Sequence, residues 1–324
     1  MAEIIPENLA LPRALELLRA GEVVAIPTET VYGLAGDATD GEAVARIFAA
    51  KRRPRFNPLI AHVADIEMAD RLARFDPLSL RLAESFWPGP LTLVLPLRGE
   101  GAVHPLVTAG LGTLALRGPR GFARDLIYAL GRPLAAPSAN SSGRVSATNA
   151  AHVQADLGDR IPLIVDGGQA GVGVESTILK VEEGRLRLLR PGGLAADEIE
   201  QVAGVRLLRT QAPSIEAPGM LASHYAPAAQ VRLNVADVRP GEALLAFGPH
   251  RAAGAENAVA LRNLSEAGDT VEAAANLFTF LQELDRSGAR AIAVEPIPFG
   301  GLGEAINDRL ARAAAPRDNI RHDA

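Results

Sequence analysis

Short apolar runs recur along the first part of the chain, and segments with helical periodicity lie between some of them. Runs of this length, ending in a proline or a polar loop, are typical of buried strands. Segments 41–50 and 121–130 instead repeat apolar residues at a helical spacing. This alternation predicts an α/β domain whose substantial sheet extends to about Val205. The predicted strands are 23–26, 91–95, 113–116, 134–136, 163–165, 176–181 and 186–189.

A linker and a second, smaller domain are predicted after this sheet. The linker, 206–228, contains Pro213, Pro218 and Pro227 and shows weak periodicity. The strand pattern restarts in the remaining residues, 229–324, and strands alternate there with helical segments. Such an order predicts a small parallel sheet. The predicted strands of this domain are 231–235, 243–247, 259–261 and 291–294.

The boundaries of three helices can be predicted from the sequence. The first helix is predicted over 11–20, with Pro12 in its first turn and Gly21 as its stop. In the second domain, Asp269 stands three residues before Glu272, which indicates a capping pair at a helix start. A final helix is predicted over about 303–314.

The composition describes a globular chain and excludes several classes of protein. Of 324 residues, 48% are hydrophobic and 22% charged, which provides ample material for a core. The net charge of −5 supplies no overall positive field for nucleic acid or an anionic membrane. The chain contains no cysteine, so disulfides, thiolate zinc sites and thiol nucleophiles are excluded. We find no basic, apolar leader and no membrane-length apolar run, and therefore expect a soluble, cytoplasmic protein.

Lysine is scarce: Lys51 and Lys180 are the only lysines among 33 basic residues. Lys51 opens an arginine-rich run, KRRPRFNPL (51–59), at the end of a predicted helix. Cations held between a helix end and two prolines would clamp a polyphosphate, because Arg binds phosphate in bidentate fashion and Lys acts as a point charge. A solvated charged face is an equally good interpretation of this run by itself.

Polar residues follow several predicted strands, which is where open α/β sheets bind ligands. No P-loop, dinucleotide-binding glycine motif or common hydrolase motif is present. Segments 27–33 and 135–143 place small hydroxyl and amide groups after strands. The first is also compatible with an ordinary turn, and the second with a flexible surface loop. Arg117 ends an apolar strand and needs an anion, either a protein or a substrate carboxylate. His62 alone is more often structural than a ligand.

Taken in order, these segments resemble the YrdC-type threonylcarbamoyl-AMP synthase family in its longer, two-domain form. The matching strings are PTETVYG (27–33), K-x-R-P with N-P-L (51–59), WPGPL (87–91), APSAN (136–140), DGG (166–168), GVESTI (173–178) and RPG (190–192). PGM (218–220), HYAP (224–227) and GLGEAINDRL (301–310) resemble the additional domain of the longer members. The resemblance covers nearly the whole chain.

The resemblance implies a fold and a reaction. The implied fold is a twisted, mixed, open sheet with a deep cavity, joined by the linker to a smaller Rossmann-like domain. The implied reaction condenses L-threonine, bicarbonate and ATP into threonylcarbamoyl-adenylate and pyrophosphate. A downstream transferase machinery then modifies the adenosine beside the anticodon of certain tRNAs, while direct tRNA binding stays open. We expect Mg²⁺ to be held mainly by the phosphates, because no tight carboxylate cluster is visible.

The resemblance also implies the site residues. The family's K-x-R and S-x-N signature falls on four residues, taken here as catalytic: Lys51, Arg53, Ser138 and Asn140. The implied ATP contacts are Arg53, Asn57, Thr113, Ser138, Ser146, Arg190 and Tyr225. The implied threonine contacts are Thr30, His62, Arg117, the main chain at Ala136, and Ser176. Arg117 would bind the threonine carboxylate, and Lys51 with Arg53 would neutralise the triphosphate.

The linker departs from the family in one place. Family members carry basic residues between PGM and HYAP, where this chain has Leu221, Ala222 and Ser223. His224 and Tyr225 nevertheless match, and we hypothesise that the linker closes over the cavity as a lid. Deleting the residues after Val205 would then impair ATP turnover.

Two other functions stay open at this point. A non-catalytic nucleotide- or RNA-binding module is disfavoured by the net charge of −5 and by the absence of an aromatic stacking platform. A transferase that handles carbamoyl-adenylate would carry additional zinc-finger regions, which a cysteine-free chain lacks. Pyrophosphate release measured with and without L-threonine separates these alternatives.

Overall fold

The computed structural model describes residues 1–99, 101–209, 216–220 and 224–316. The chain forms two compact units, of which the first comprises 1–142 and 146–220 and the second comprises 143–145 and 221–324. The division after Met220 falls inside the predicted linker, whose boundaries stay a prediction. Leu221, Ala222 and Ser223, where the sequence departs from the family, lie outside the described residues.

A mixed sheet of eleven strands forms the framework of the first unit. The strands are β1 (Glu3–Pro6), β2 (Val24–Ile26), β3 (Gly33–Asp37), β4 (Ile60–His62), β5 (Leu91–Pro96), β6 (Thr113–Arg117), β7 (Leu134–Ala135), β8 (Leu163–Asp166), β9 (Thr177–Glu182), β10 (Arg185–Arg190) and β11 (Leu207–Leu208). Their order is β1-β8-β2-β3-β7-β4-β6-β5-β9-β10-β11. Parallel pairs, such as β4 with β6, occur beside antiparallel ones, such as β5 with β6, which confirms the predicted mixed sheet. Each predicted strand of this region overlaps an observed one.

Helices pack around this sheet. Those of the first unit are α1 (Glu7–Arg19), α2 (Gly41–Lys51), α3 (Ile66–Leu72), α4 (Pro77–Phe86), α5 (Pro105–Thr108), α6 (Phe122–Leu130), α7 (Ala150–Leu157) and α8 (Ala196–Ala203). The predicted start of the first helix is wrong, because α1 begins at Glu7 and Pro12 lies inside it. Burial of Ala10, Ala14 and Leu18 in the core offsets the hydrogen bond that a proline cannot donate.

The sequence pattern missed β3, whose sequence GLAGD contains no apolar run. All five of its residues are nevertheless buried, between β2 and β7. At Gly36, a Cβ atom would lie 3.1 Å from Ile47 Cδ1 and 3.3 Å from the Ala43 carbonyl oxygen. The close approach of α2 to this strand therefore favours a glycine.

The second unit contains a four-stranded parallel sheet, as predicted. Its elements are β12 (Gln230–Arg232), β13 (Glu242–Ala246), a 3-10 turn (Ala255–Asn257), β14 (Leu261–Asn263), α9 (Thr270–Asp285), β15 (Ala291–Val294) and α10 (Gly303–Ala314). The strand order is β12-β15-β13-β14. The predicted final helix coincides with α10. Across both units, the described helices include none with the length and apolarity needed to cross a membrane.

The capping pair predicted for α9 is half right. Asp269 accepts a hydrogen bond from the Val271 amide at 2.8 Å. Glu272 does not return to the Asp269 amide and instead accepts from the Ser265 hydroxyl. Ser265 Oγ accepts from the Asp269 amide at 3.0 Å, so the serine takes the place expected for the glutamate. Ser265 lies in the loop before the helix, so the spacing of Asp269 and Glu272 alone could not predict this contact.

Candidate active site

The register of β4 and β6 places several predicted site residues on one face of the large sheet. The two strands are parallel, with His62 beside Arg117 and Ile60 beside Ala115. Side chains alternate between faces along a strand, so Thr113, Ala115 and Arg117 share the face of Ile60 and His62. A predicted ATP contact, Thr113, and two predicted threonine contacts therefore project from the same face.

The row that begins at Arg117 continues across β5, β9 and β10. Thr92 lies beside both Arg117 and Ile178, and Ile178 lies beside Arg190. Ser176 immediately precedes β9, and its Oγ lies 2.7 Å from Thr92 Oγ1. The fold thus brings Arg190 into the row of Arg117 and places Ser176 in contact with that row, although both are distant from Arg117 in sequence.

Residues 216–220 cover the apolar middle of this face. The buried cluster there consists of Ile60, Val94, Ala115, Ile178, Leu189 and Ala217, with Met220 packed against it. Glu216 accepts hydrogen bonds from Lys180 and, at 2.7 Å, from Arg187. Glu182 pairs with the same two cations at 2.5 and 3.0 Å. Lys180, the second lysine of the chain, therefore anchors the start of this segment.

Arg117 has a protein carboxylate as its anion. Its Nη2 lies 2.7 Å from Glu29 Oε1, and its Nε donates to the Gly89 carbonyl at 3.3 Å. Both side chains are largely buried, with 5% of Arg117 and 13% of Glu29 exposed. The requirement for an anion is confirmed, whereas binding of the threonine carboxylate by Arg117 stays a prediction. Glu29 is a residue that the sequence reasoning did not single out, although it lies within PTETVYG.

His62 is a neutral imidazole beside this ion pair. Burial, followed by the positive charge of Arg117, lowers the pKa of His62 to about 3. The side chain is buried, and its Nδ1 has no hydrogen-bond partner among the described residues. His62 therefore offers an uncharged ring nitrogen next to the guanidinium.

Thr30 lies in the turn between β2 and β3, and Ala136 directly follows β7, the strand that pairs with β3. Thr30 is fully buried, and its Oγ1 lies 2.9 Å from Thr28 Oγ1. The Thr28 hydroxyl also accepts from the Thr30 amide at 3.2 Å, which closes the turn. The Ala136 amide donates to the Ile60 carbonyl at 3.2 Å, next to β4. Their contacts with threonine stay predictions.

Lys51 holds the loop that contains Ser138 and Asn140. As the last residue of α2, it donates from Nζ to the Ser138 carbonyl at 2.5 Å and to the Asn140 carbonyl. Its own carbonyl accepts from the Ser142 amide at 2.9 Å. Three of the four predicted catalytic residues therefore meet, and Lys51 has a positioning contact that the phosphate-clamp interpretation did not include.

The environment of Lys51 disfavours its charged form until an anion arrives. Burial lowers the pKa of Lys51 well below 10.5, and the charge of Arg53 lowers it further, while Asp156 and Glu175 oppose this change. In the part of the chain that the structure describes, no carboxylate lies within ion-pair distance of Nζ. A nearby phosphate would raise this pKa, because an opposite charge favours the ammonium form.

The rest of the basic run divides into buried and exposed parts. Arg53 Nε donates to the Asn57 carbonyl at 3.2 Å, and its Nη2 donates to the Pro58 carbonyl at 2.8 Å. Asn57 is buried, and its Oδ1 accepts no hydrogen bond from the described residues. Arg52 and Arg55 are exposed, so the solvated-face interpretation holds for them and not for Lys51.

Two further predicted ATP contacts meet at the GVESTI segment. Ser146 Oγ donates to Glu175 Oε1 at 2.5 Å, and both side chains are buried. Arg190 Nη2 donates to the Ser176 carbonyl at 2.8 Å, and its Nη1 donates to the Pro218 carbonyl at 3.4 Å. Glu175, like Glu29, was not singled out from the sequence, although it lies within a motif that was.

Tyr225, the remaining predicted ATP contact, is buried within the second unit. Its ring stacks on Phe278 with centroids 5.6 Å apart, and the Arg309 guanidinium carbon lies 4.9 Å from its centroid. The His224 ring meets it edge-on at 4.1 Å. Only 1% of Tyr225 is exposed. Its contact with ATP stays a prediction.

Comparison with known proteins shows the family. A family model described as "Telomere recombination" matches residues 16–192, and one described as "Threonylcarbamoyl-AMP synthase, C-terminal domain" matches residues 194–315. The chain is 44% identical over 327 residues to the threonylcarbamoyl-AMP synthase of Pyrococcus abyssi, covering 94% of each protein. This chain belongs to the threonylcarbamoyl-AMP synthase family.

Other members of the threonylcarbamoyl-AMP synthase family and related structures agree with this assignment. The Bacillus subtilis enzyme of that name is 40% identical over 334 residues, covering 97% of this chain and 96% of its own. The crystal structure of P. abyssi Sua5 complexed with L-threonine matches with a TM-score of 0.85 at 40% identity, over 97% of this chain and 96% of that one. Escherichia coli YciO, at 22% identity and a TM-score of 0.53 over 59% of this chain, shares the fold of the corresponding region.

Proposed function

We propose that this protein is a threonylcarbamoyl-AMP synthase that uses L-threonine, bicarbonate and ATP. The observation that carries the proposal is the end-to-end match to relatives of that name, which includes both units of the chain. The arrangement of cations and neutral polar groups on one face of the large sheet supports it. The threonine bound to P. abyssi Sua5 indicates the amino-acid substrate.

The proposed reaction needs positioning and charge stabilisation rather than a protein nucleophile. The threonine amine and bicarbonate form a carbamate with loss of water. A carbamate oxygen then attacks the α-phosphorus of ATP, and the bond to the β-phosphate oxygen breaks as pyrophosphate leaves. This chemistry suits a chain without cysteine.

The ATP phosphates would be bound by cations that the protein holds through main-chain carbonyls. The described hydrogen bonds of Lys51 go to carbonyls, as do both of those from Arg53. Arg190 Nη2 bonds to the Ser176 carbonyl, which orients its guanidinium. Ligand phosphates are stronger acceptors than neutral carbonyls, so they can compete for hydrogen bonds from these side chains. Ser138, Asn140 and Asn57 would add neutral contacts.

L-Threonine would bind at the Arg117 end of the same face. Its carboxylate would contact Arg117, and the neutral ring of His62 would accept or donate a hydrogen bond without adding charge. The hydroxyls of Thr30 and Ser176 and the main chain at Ala136 complete the proposed pocket. A single methyl group distinguishes threonine from serine, which is worth about 1–3 kcal/mol in a fitted pocket.

The metal ion, the fate of the product and the cellular location are part of the same proposal. In the described ranges, no group of three or more His, Asp or Glu side chains could hold a metal ion. Mg²⁺ would enter with ATP, coordinated mainly by phosphates and water. We propose that the product passes to the transferase machinery that modifies tRNA. We also propose that the protein acts in the cytoplasm, where that machinery uses this product.

The test is pyrophosphate release by the purified full chain with ATP and bicarbonate, in the presence and absence of L-threonine. We expect release to depend on threonine, and mass spectrometry to detect threonylcarbamoyl-AMP. Omitting bicarbonate from degassed buffer should reduce the rate. Absent turnover, or turnover that does not depend on threonine, would overturn the proposed function.

A further inference from the structure

We propose that Glu29 makes the Arg117 site selective for an amino acid over phosphates, by positioning the Arg117 guanidinium and by excluding phosphates from it. This inference rests on the proposed function, because it assigns a role within the threonine pocket. Glu29 is a positioning residue in this proposal, since it acts through Arg117.

Two anchors determine the direction of the Arg117 guanidinium. Its Nε donates to the Gly89 carbonyl at 3.3 Å, and its Nη2 lies 2.7 Å from Glu29 Oε1. Its Nη1 forms no hydrogen bond with the residues that the structure describes. Because the guanidinium is planar and rigid, fixing two nitrogens fixes the third. The third nitrogen is therefore the position at which an incoming carboxylate can bind.

Glu29 is itself held by two main-chain amides. Its Oε2 accepts from the Arg120 amide at 3.1 Å, and its carbonyl accepts from the Val172 amide at 2.8 Å. Its side chain is 13% exposed. The carboxylate is therefore a fixed charge rather than a mobile surface group.

The charges around Arg117 match a zwitterion better than a polyanion. Arg117 and Glu29 carry opposite charges, and His62 is neutral because its pKa is lowered to about 3. An α-amino acid also carries one charge of each sign. Its carboxylate can therefore pair with Arg117 without displacing Glu29. A phosphate brings two negative charges and would be repelled by Glu29 in a site with little water. Glu29 therefore keeps ATP and pyrophosphate away from a buried arginine that would otherwise bind them.

The test compares Glu29→Gln and Glu29→Asp with the unaltered full chain. For Glu29→Gln, we expect the KM for threonine to rise by at least about tenfold, while the KM for ATP stays within about twofold. Inorganic phosphate should become a competitive inhibitor against threonine. Glu29→Asp keeps the charge and shortens the reach, so the KM for threonine should rise without inhibition by phosphate.

Asp37→Asn is the matched control. Asp37 is a buried carboxylate that pairs with Arg132 at 2.5 Å, on β3 of the same sheet. We expect this variant to lose stability without a change in the KM for threonine or in phosphate inhibition. Circular dichroism melting of every variant separates loss of folding from loss of recognition.

The outcomes separate the inference from the proposed function. An unchanged KM for threonine in folded Glu29→Gln, with the unaltered protein active, overturns the inference alone. If Glu29→Gln does not fold, Glu29→Asp decides: an unchanged KM for threonine overturns the positioning role. Threonine-independent turnover by the unaltered protein overturns the proposed function instead.

Discussion

Two pockets of the first unit hold a buried cation in opposite ways. In the Lys51 pocket, formed with Ser138 and Asn140, the ammonium contacts neutral main-chain carbonyls. In the Arg117 pocket, formed with Glu29 and His62, the guanidinium contacts a carboxylate. The charge of Lys51 is therefore left for a ligand to stabilise, whereas that of Arg117 is already balanced by the protein. The contrast fits a polyanion at the first pocket and a zwitterion at the second.

The largest expected effect comes from removing the Lys51 ammonium. Lys51→Met keeps much of the apolar volume but loses the donors to the loop and to the phosphates. We expect turnover to fall by about 10²–10³-fold, as when one preorganised donor is removed from an active site. Threonine binding, measured by calorimetry without ATP, should change little.

Arg55→Ala is the control for that experiment, because Arg55 belongs to the same basic run and is exposed. Its turnover should stay near that of the unaltered protein. Near-normal turnover in Lys51→Met would return Lys51 to a purely structural role and remove the contrast between the pockets.

Arg117→Lys tests the second pocket while keeping its charge. Lysine lacks the planar fork that Gly89 and Glu29 hold, so the carboxylate of threonine loses an oriented donor. We expect the KM for threonine to rise by about tenfold or more, with the KM for ATP nearly unchanged. Equal effects on both KM values would show that the two pockets act as one.

The pH dependence of stability tests the neutral state of His62. Its pKa is about 3 in the folded chain and 6.5 ordinarily, so between these values the unfolded chain binds more protons. Lowering the pH from 7 to 4.5 should therefore reduce the free energy of unfolding, with about 2–3 kcal/mol of the loss due to His62. Urea unfolding of His62→Gln should show a smaller loss over the same interval, and an identical loss would contradict this assignment.

The smallest effect is expected from Glu216→Gln, which changes neither pocket directly. It removes the charge that Lys180 and Arg187 share, although Glu182 remains as a partner for both. We expect a loss of about 1–2 kcal/mol in the free energy of unfolding by urea, and less than a threefold change in either KM. A large rise in the KM for ATP alone would instead support a lid role for residues 216–220.

Local sequence patterns predicted much of this fold. Apolar runs located seven strands of the large sheet and the parallel sheet of the second unit. In strands such as β5 and β13, burial on both faces leaves a continuous apolar signal. The same method missed four strands: β1, which is largely exposed, β3, which is rich in glycine, and β4 and β11, which have only three and two residues. The first two strands depend on neighbours from distant parts of the chain, β8 for β1 and β2 with β7 for β3.

The sequence by itself determined the family, the two-part organisation and the motifs from which the site is built. Only the tertiary structure decided that Arg117 pairs with Glu29, that Lys51 holds the loop of Ser138 and Asn140, and that Tyr225 packs within the second unit. A motif shows which chemical groups can build a site, because residue type and spacing are local properties of the sequence. The charge of a buried group depends on its partners and its access to water, and these are set by contacts between residues far apart in the chain.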